Sequence, residues 1–208
     1  MARETKEKVD KLKFEYEELL KGNSLIAGVD EVGRGPLAGP VVCACVIMPL
    51  DNIIDGIDDS KKLSEKKRET LFEQIKQTAI AYSIEFVYED EIDEINILNA
   101  TKKCMANAIN NLSVKPDVCL VDAVDKLDTS VPLVPIVHGD ALSYNIGAAS
   151  ILAKVTRDRF MVEQDVLYPE YGFKKHKGYG TKVHMDTLKE IGPCKIHRRS
   201  FIKFLGEK

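Results

Sequence analysis

Asp30 and Glu31 stand side by side at the end of an apolar run, Leu25-Ile26-Ala27-Gly28-Val29, and a glycine-flanked arginine, Gly33-Arg34-Gly35, follows at once. Paired carboxylates suit a hard cation such as Mg2+, which takes oxygen ligands and keeps several of its waters. Glycine leaves the main chain bare enough to approach a sugar-phosphate closely. Both features within six residues point to metal-assisted chemistry on a nucleic acid. A two-ion site, which activates a water and stabilises a leaving oxygen, needs three or four carboxylates drawn from different elements. Asp122, directly after the apolar run Val118-Cys119-Leu120-Val121, and Asp140, in the segment HGDALS, are the further candidates.

Each acid also has a plainer reading. An acid at a strand end is commonly a turn former, which would account for Asp122 by itself. Asp140 by itself reads as a helix-start residue facing free N–H groups. Asp30 and Glu31 meet a geometric objection, because consecutive side chains on a regular strand face opposite ways; both reach one site only if the strand ends or bulges there. Asp158 competes with Asp140 for the fourth place. On a single helix over 142–165 the two lie roughly 27 Å apart at 1.5 Å per residue, so they cannot share a site. Asp140 is preferred, being on the strand-end side of the sheet, and Asp158 is expected to pair with neighbouring arginines. His138, His176, His184 and His197 fit no nucleophile triad and no H-E-x-x-H zinc pattern, and read as structural or surface residues.

The elements that must position these groups follow from pattern. Residues 25–30 and 41–48 predict strands, joined as a hairpin by a tight connection through the glycines and Pro36. Ser64 caps a helix to about Thr78. Ile80–Tyr88 predicts a strand with Ile80, Tyr82, Ile84 and Phe86 on one face. A helix is expected over 90–112, with Ile92, Ile95, Leu98 and Met105 as its stripe. Short strands follow at 117–121 and 133–137. Then comes a long helix over 142–165 whose Gly147-Ala148-Ala149-Ser150 stretch is small enough to lie close on a sheet. Short helices are expected near 4–20, 181–190 and 199–206. Strands come first as a meander and then alternate with helices, which predicts an α/β fold with a mixed sheet covered by helices.

At 208 residues and 44% hydrophobic content the chain fits one large domain, or one with a small appendage. No apolar run approaches the roughly 20 residues of a membrane span. The first 22 residues are charged throughout, without a signal-peptide core. Five cysteines without a CxxC pair suit a reduced, cytoplasmic setting, and Cys43 and Cys45 read as small apolar residues of a buried strand. The net charge is −3, yet residues 171–208 hold ten Lys/Arg against three Asp/Glu, a local +7 that leaves −10 on the rest. That asymmetry suits a polyanion-binding flank beside an acidic, metal-binding body, or equally a solvated basic tail.

The motifs GVDEVGRGPLAGPVV, DDSKKLS (58–64), VDAV (121–124), ASILAKVTRDR (149–159) and KGYGTKVH…GPCKIHRRSF (177–201) together resemble bacterial ribonuclease HII, the type 2 ribonuclease H. The resemblance covers nearly everything beyond residue 24. It implies a ribonuclease H-like mixed sheet flanked by helices, with a C-terminal helical extension. Its parts would be an N-terminal helical extension (1–22), a catalytic core (23–166) and a basic substrate-binding segment (167–208) packed on that core. It implies hydrolysis of the RNA strand of RNA–DNA hybrids, and cutting 5′ of single ribonucleotides embedded in duplex DNA, to leave 3′-hydroxyl and 5′-phosphate ends. The cofactors would be two divalent ions, Mg2+ or Mn2+, held by Asp30, Glu31, Asp122 and Asp140. The spacing from Asp122 to Asp140 crosses a proline-bearing segment, TSVPLVP, whose length varies in such proteins. Gly33, Arg34 and Gly35 would contact the ribonucleotide, with main chain reading the 2′-hydroxyl. Tyr179 looks like the tyrosine that stacks on the next sugar, and Ser60 and Lys61 look like phosphate contacts. A monomer is expected; docking to a replication clamp and the role of the first twenty residues stay open.

Rival readings are a dinucleotide-binding enzyme, a non-catalytic hybrid-binding module and a type 3 ribonuclease H. The glycine spacing here is G-x-G-x-x-x-G rather than G-x-G-x-x-G, Pro36 crowds the turn and two acids would repel a pyrophosphate. Catalysis must vanish with EDTA, whereas docking need not. Type 3 enzymes carry an added N-terminal domain, for which about 24 residues leave no room.

Overall fold

The computed structural model describes residues 10–122, 124 and 126–206. Runs of β-branched and small apolar residues build the centre of the sheet. Strand β1 (Ile26–Val32) pairs antiparallel with β2 (Val41–Ile47), Ala27 opposite Ile47 and Val32 opposite Val42. Every residue of β2 is buried, because the sheet is covered on both faces there, and its sequence VVCACVI accordingly shows no polar alternation. Ser64 accepts a bond from Lys67 N and starts α2 (Glu65–Thr78), which leads to the edge strand β3 (Ala81–Val87). Helix α3 (Glu89–Asn110) then crosses to β4 (Val118–Asp122), which lies parallel to β1 with Val29 opposite Val121. Strand β5 (Leu133–Ile136) completes a five-stranded mixed sheet of order β3-β2-β1-β4-β5. A single turn, α4 (Gly139–Leu142), precedes the long α5 (Tyr144–Leu167), and α6 (Phe173–His176) and α7 (Lys182–Ile191) follow.

Helix α3 covers one face of the sheet, packing Ile92, Cys104 and Met105 on Ala27, Val29 and Cys43. Helices α2 and α5 cover the other, packing Leu71, Ile75, Ala148 and Leu152 on Val42, Ala44 and Val46. The small residues of α5 do what their size suggests. A Cβ on Gly28 of β1 would sit 2.4 Å from the main chain of Asn145 and Ile146.

The structure corrects several expectations, each for a local reason. In β3 the deeply buried positions are Ala81, Ser83 and Val87; Ile80 lies outside the strand and Tyr82 is 36% exposed, since this strand forms the sheet's margin. Helix α3 is broken at Asn96 (φ 67°, ψ 163°), whose side chain accepts bonds from Leu98 N and Asn99 N and so restarts the helix. The break shifts the apolar stripe: Ile92 and Met105 are buried and Leu98 is 49% exposed. The helix expected over 142–165 is present as α5, its start moved two residues by Ser143, which caps it through Ile146 N. Residues 199–206 form two 3-10 turns, Arg199–Phe201 and Lys203–Leu205, rather than an α-helix.

Near the N-terminus α1 runs from Lys13 to Leu20, and residues 4–9 of the expected helix fall outside the described residues. Its Glu15 is buried. One carboxylate oxygen accepts bonds from Ser143 Oγ (2.6 Å) and Asn145 N (3.0 Å), placing negative charge at the start of α5.

The C-terminal segment packs Tyr171, Phe173, Leu188, Ile196 and Ile202 against Ala38 and Met161. Among these lie His184 and His197, joined Nε2 to Nε2 at 2.9 Å. A carbonyl only accepts, so His184 Nδ1 donates to Tyr179 O, and His197 Nδ1 accepts from Cys194 N. Both rings are therefore neutral. Burial, reinforced by His184, pushes His197 down to about 4. The unfolded chain binds that proton near pH 6.5, so stability must fall as pH drops from there toward 4. By pH 5 the loss should reach about 2 kcal/mol. Urea melts of the wild type and of His197→Gln at pH 7.5 and 5 measure it, and equal acid-side slopes in the two would contradict the assignment.

Candidate active site

Parallel pairing of β1 with β4 sets Asp30 and Asp122 on adjacent strands, one position beyond the Val29–Val121 pair. Both project to the face that α5 covers, opposite to the face on which Val29 and Val121 join the α3 core. Strand β1 neither ends nor bulges at Glu31, yet its carboxylate lies close enough to Asp30 and Asp122 for their charges to act on one another. Strand β1 continues to Val32 while β4 stops at Asp122, so Glu31 stands past the end of its neighbour. Asp140 is buried in the single turn α4, immediately after β5. The main-chain N–H of Gly139 donates to Asp122 Oδ1 (2.8 Å), tying α4 to the end of β4.

The acidic cluster is electrostatically under-compensated. Burial first, then the charges of Glu31 and Asp122, hold Asp30 well above the ordinary carboxylate range, against a hydrogen bond from Ser150. Glu31 is raised by burial and by Asp122, with Arg34 at 3.4 Å opposing. Asp122 is raised by burial and by Asp140, against its bond from Gly139. Lys61 is the cation nearest Asp140, at 3.5 Å. Burial works against its charge, but Asp140, Asp59 and Asp30 outweigh burial and hold its pKa above the usual lysine value. Among the described residues no three His, Cys, Asp or Glu side chains close into a ready-made ion cage. The carboxylates of β1, β4 and α4, which raise one another's pKa, nonetheless offer hard oxygens, a donor type that suits Mg2+ or Mn2+ better than a softer ion.

Ser60 departs from its expected role. It is 3% exposed, and its hydroxyl meets Ser150 Oγ at 2.9 Å, so it faces inward rather than toward a phosphate. Its place is behind Asp30, through Ser150. Lys61 keeps an exposed ammonium beside the acids. Asp158 bonds Lys154 (2.7 Å) and approaches Arg68 (4.0 Å), not its neighbours Arg157 and Arg159.

The glycine-arginine-glycine segment leads away from Glu31. Arg34 and Gly35 are exposed and Gly33 is buried. Tyr179, 44% exposed, lies against this segment, since a Cβ on Gly35 would stand 3.8 Å from its ring. Leu37 N bonds Gly178 O (2.8 Å) and holds the two segments together. Arg198, counted in the sequence as part of a basic flank, is fully buried beneath them, as is Arg157. Ser150, Arg157 and Arg198 all lie within motifs that the sequence singled out, and the structure shows all three buried.

The family model described as Ribonuclease HII matches residues 27–204. A Ribonuclease HII of Ruminiclostridium cellulolyticum is 55% identical over 192 residues, covering 92% of this chain and 75% of its own length. Among solved structures, the ribonuclease H2 of Pyrococcus horikoshii superposes with a TM-score of 0.72 at 30% identity, covering 88% of this chain and all of its own. The RNase HII of Archaeoglobus fulgidus, solved in complex with PCNA, gives a TM-score of 0.75 at 28% identity, covering 88% of this chain and 98% of its own.

Proposed function

The chain belongs to the ribonuclease HII family, and from that premise we propose that it cuts duplex DNA on the 5′ side of an embedded ribonucleotide, as well as the RNA strand of hybrids, leaving 3′-hydroxyl and 5′-phosphate ends. The observation that carries this reading is the meeting of Asp30, Glu31, Asp122 and Asp140 at one end of the sheet, with exposed Gly35 and Tyr179 alongside.

Asp30, Glu31, Asp122 and Asp140 would hold two divalent ions, which when bound lower the pKa of an attacking water and offset charge on the departing 3′-oxygen. The chain's own residues prepare that chemistry. Ser60 and Ser150 back Asp30, and the Gly139 N–H fixes Asp122. Lys61 offers an ammonium to a phosphate beside Asp140. Exposed main chain at Arg34 and Gly35 can approach a minor groove and bond a 2′-hydroxyl, the group that distinguishes RNA from DNA, while the Tyr179 ring supplies a flat apolar face for the adjoining sugar. Five free cysteines suit a reducing cytoplasm.

A duplex DNA carrying one ribonucleotide tests the proposal. With Mg2+ one cut should map to the 5′ side of the ribonucleotide, and EDTA should abolish it. Binding that persists in EDTA without any cleavage in Mg2+ would favour the hybrid-docking module instead. Cleavage of long hybrids but not of the single ribonucleotide would favour type 3-like activity.

A further inference from the structure

The segment that presents Arg34 and Gly35 is held from behind by two cations that the catalytic reading does not use. Arg157, on α5, donates from Nε to Pro40 O (2.9 Å), from Nη1 to Lys177 O (3.0 Å) and from Nη2 to Ala38 O (3.1 Å). Arg198 donates from Nε to Gly39 O (2.9 Å), from Nη1 to Arg34 O (2.9 Å) and from Nη2 to both Gly33 O (2.5 Å) and Gly39 O (2.6 Å). Both side chains are fully buried. Among the described residues neither guanidinium makes an ion pair; all of these bonds end on main-chain carbonyls. Burial lowers Arg157 to about 10, and burial together with Arg157 lowers Arg198 to about 9, so both stay charged at neutral pH.

A peptide plane whose carbonyl is pulled inward has its N–H turned the other way, because the two point in opposite directions across a trans bond. Arg198 draws in the carbonyls of Gly33 and Arg34, which belong to the same peptide planes as the N–H groups of Arg34 and Gly35. Among the described residues those two N–H groups have no acceptor, and both residues are exposed. Arg157 ties the far side of the loop to Lys177, two residues before Tyr179. Gly33 is glycine for the same reason: at φ +94° a Cβ there would lie 2.3 Å from Arg157 Nε.

Resting on the ribonucleotide-cutting function proposed above, we infer that Arg157 and Arg198 are specificity-determining positioning residues: their guanidinium forks aim the Arg34 and Gly35 N–H groups and the Tyr179 segment at a 2′-hydroxyl without touching the nucleic acid. A guanidinium offers five donors in a fixed plane, whereas a lysine ammonium offers three on a flexible stem and cannot span the same carbonyls. Charge alone is therefore not enough.

Binding of duplex DNA with one ribonucleotide, and of the same duplex without it, is measured for the wild type, Arg198→Lys and Arg157→Lys in Ca2+. The wild type should prefer the ribonucleotide duplex. Each lysine variant should lower that preference at least tenfold while binding all-DNA duplex within twofold of the wild type. A folded variant that keeps the full preference, or weakens both duplexes equally, overturns the inference. If neither variant folds, amide exchange on the wild type decides. The 34 and 35 amides should exchange rapidly in the free protein and slow about tenfold with the ribonucleotide duplex only. Equal exchange in all three states overturns the inference as well. A wild type without any preference instead defeats the function on which the inference rests.

Discussion

Asp30→Asn should yield a protein that folds, binds a ribonucleotide-bearing duplex and does not cut it. Asparagine keeps the shape of the side chain and one oxygen but removes the charge that a divalent ion requires. Altering a group that merely supports a metal ligand commonly costs 10–100-fold, so removing the charge of a direct ligand should cost more, on the order of 10³-fold in kcat. Folding should move the other way. In the absence of metal Asp30 is buried beside Glu31 and Asp122, all of which raise the cost of its charge. The metal-free variant should melt at or above the wild-type temperature. Single-turnover cleavage in Mg2+ and melting in EDTA test the two halves. A variant that retains a tenth of the wild-type rate would falsify the role given to Asp30.

The two glycines of the same motif should fail in different ways. Gly33 has φ +94° and sits against Arg157, so Gly33→Ala forces a side chain into left-handed backbone and into a buried guanidinium. The conformational cost is about 1–2 kcal/mol, and displaced buried hydrogen bonds add about 1–3 kcal/mol. For a chain of this length that corresponds to a drop in Tm of roughly 10 °C. A Cβ on Gly35 would meet only the Tyr179 ring, at an ordinary 3.8 Å. Gly35→Ala should therefore melt within about 1 °C of the wild type. If a sugar must lie against that bare main chain, kcat/KM on a single-ribonucleotide duplex should still fall about 10–100-fold. Gly35→Ala with full activity would mean that the substrate passes elsewhere.

The fold was legible where pattern and burial agree. Strands β1 and β2, the cap at Ser64 and the small face of α5 all follow from residue type. The break at Asn96 did not, because a single asparagine that caps its own helix is indistinguishable in sequence from one on a solvated helical face. The margin position of β3 was hidden for a related reason: alternation reveals that a strand has two unlike faces, not which neighbour covers each. In the candidate site, Asp30, Glu31, Asp122 and Asp140 were proposed from their position after apolar runs, and the parallel pairing of β1 with β4 sets Asp30 and Asp122 on adjacent strands, with Glu31 next to Asp30. Ser60 was placed on the wrong side of its own turn, since a hydroxyl carries no sign in the sequence of which way it faces. Arg198 was read with the basic flank, because charge counting cannot separate a surface cation from one that is buried and bonded to carbonyls.

The pairing of β1 with β4 joins residues more than ninety positions apart, with Ile26 opposite Val118. Contacts of that span form late, after the loop between them has been closed. The acids arrive at 30, 31, 122 and 140, the serine behind Asp30 at 150, and the second buried arginine at 198. A polypeptide still emerging from the ribosome before residue 140 thus lacks one of the four proposed metal-holding acids, and one that stops before residue 198 lacks the arginine proposed to aim the Arg34 and Gly35 amides.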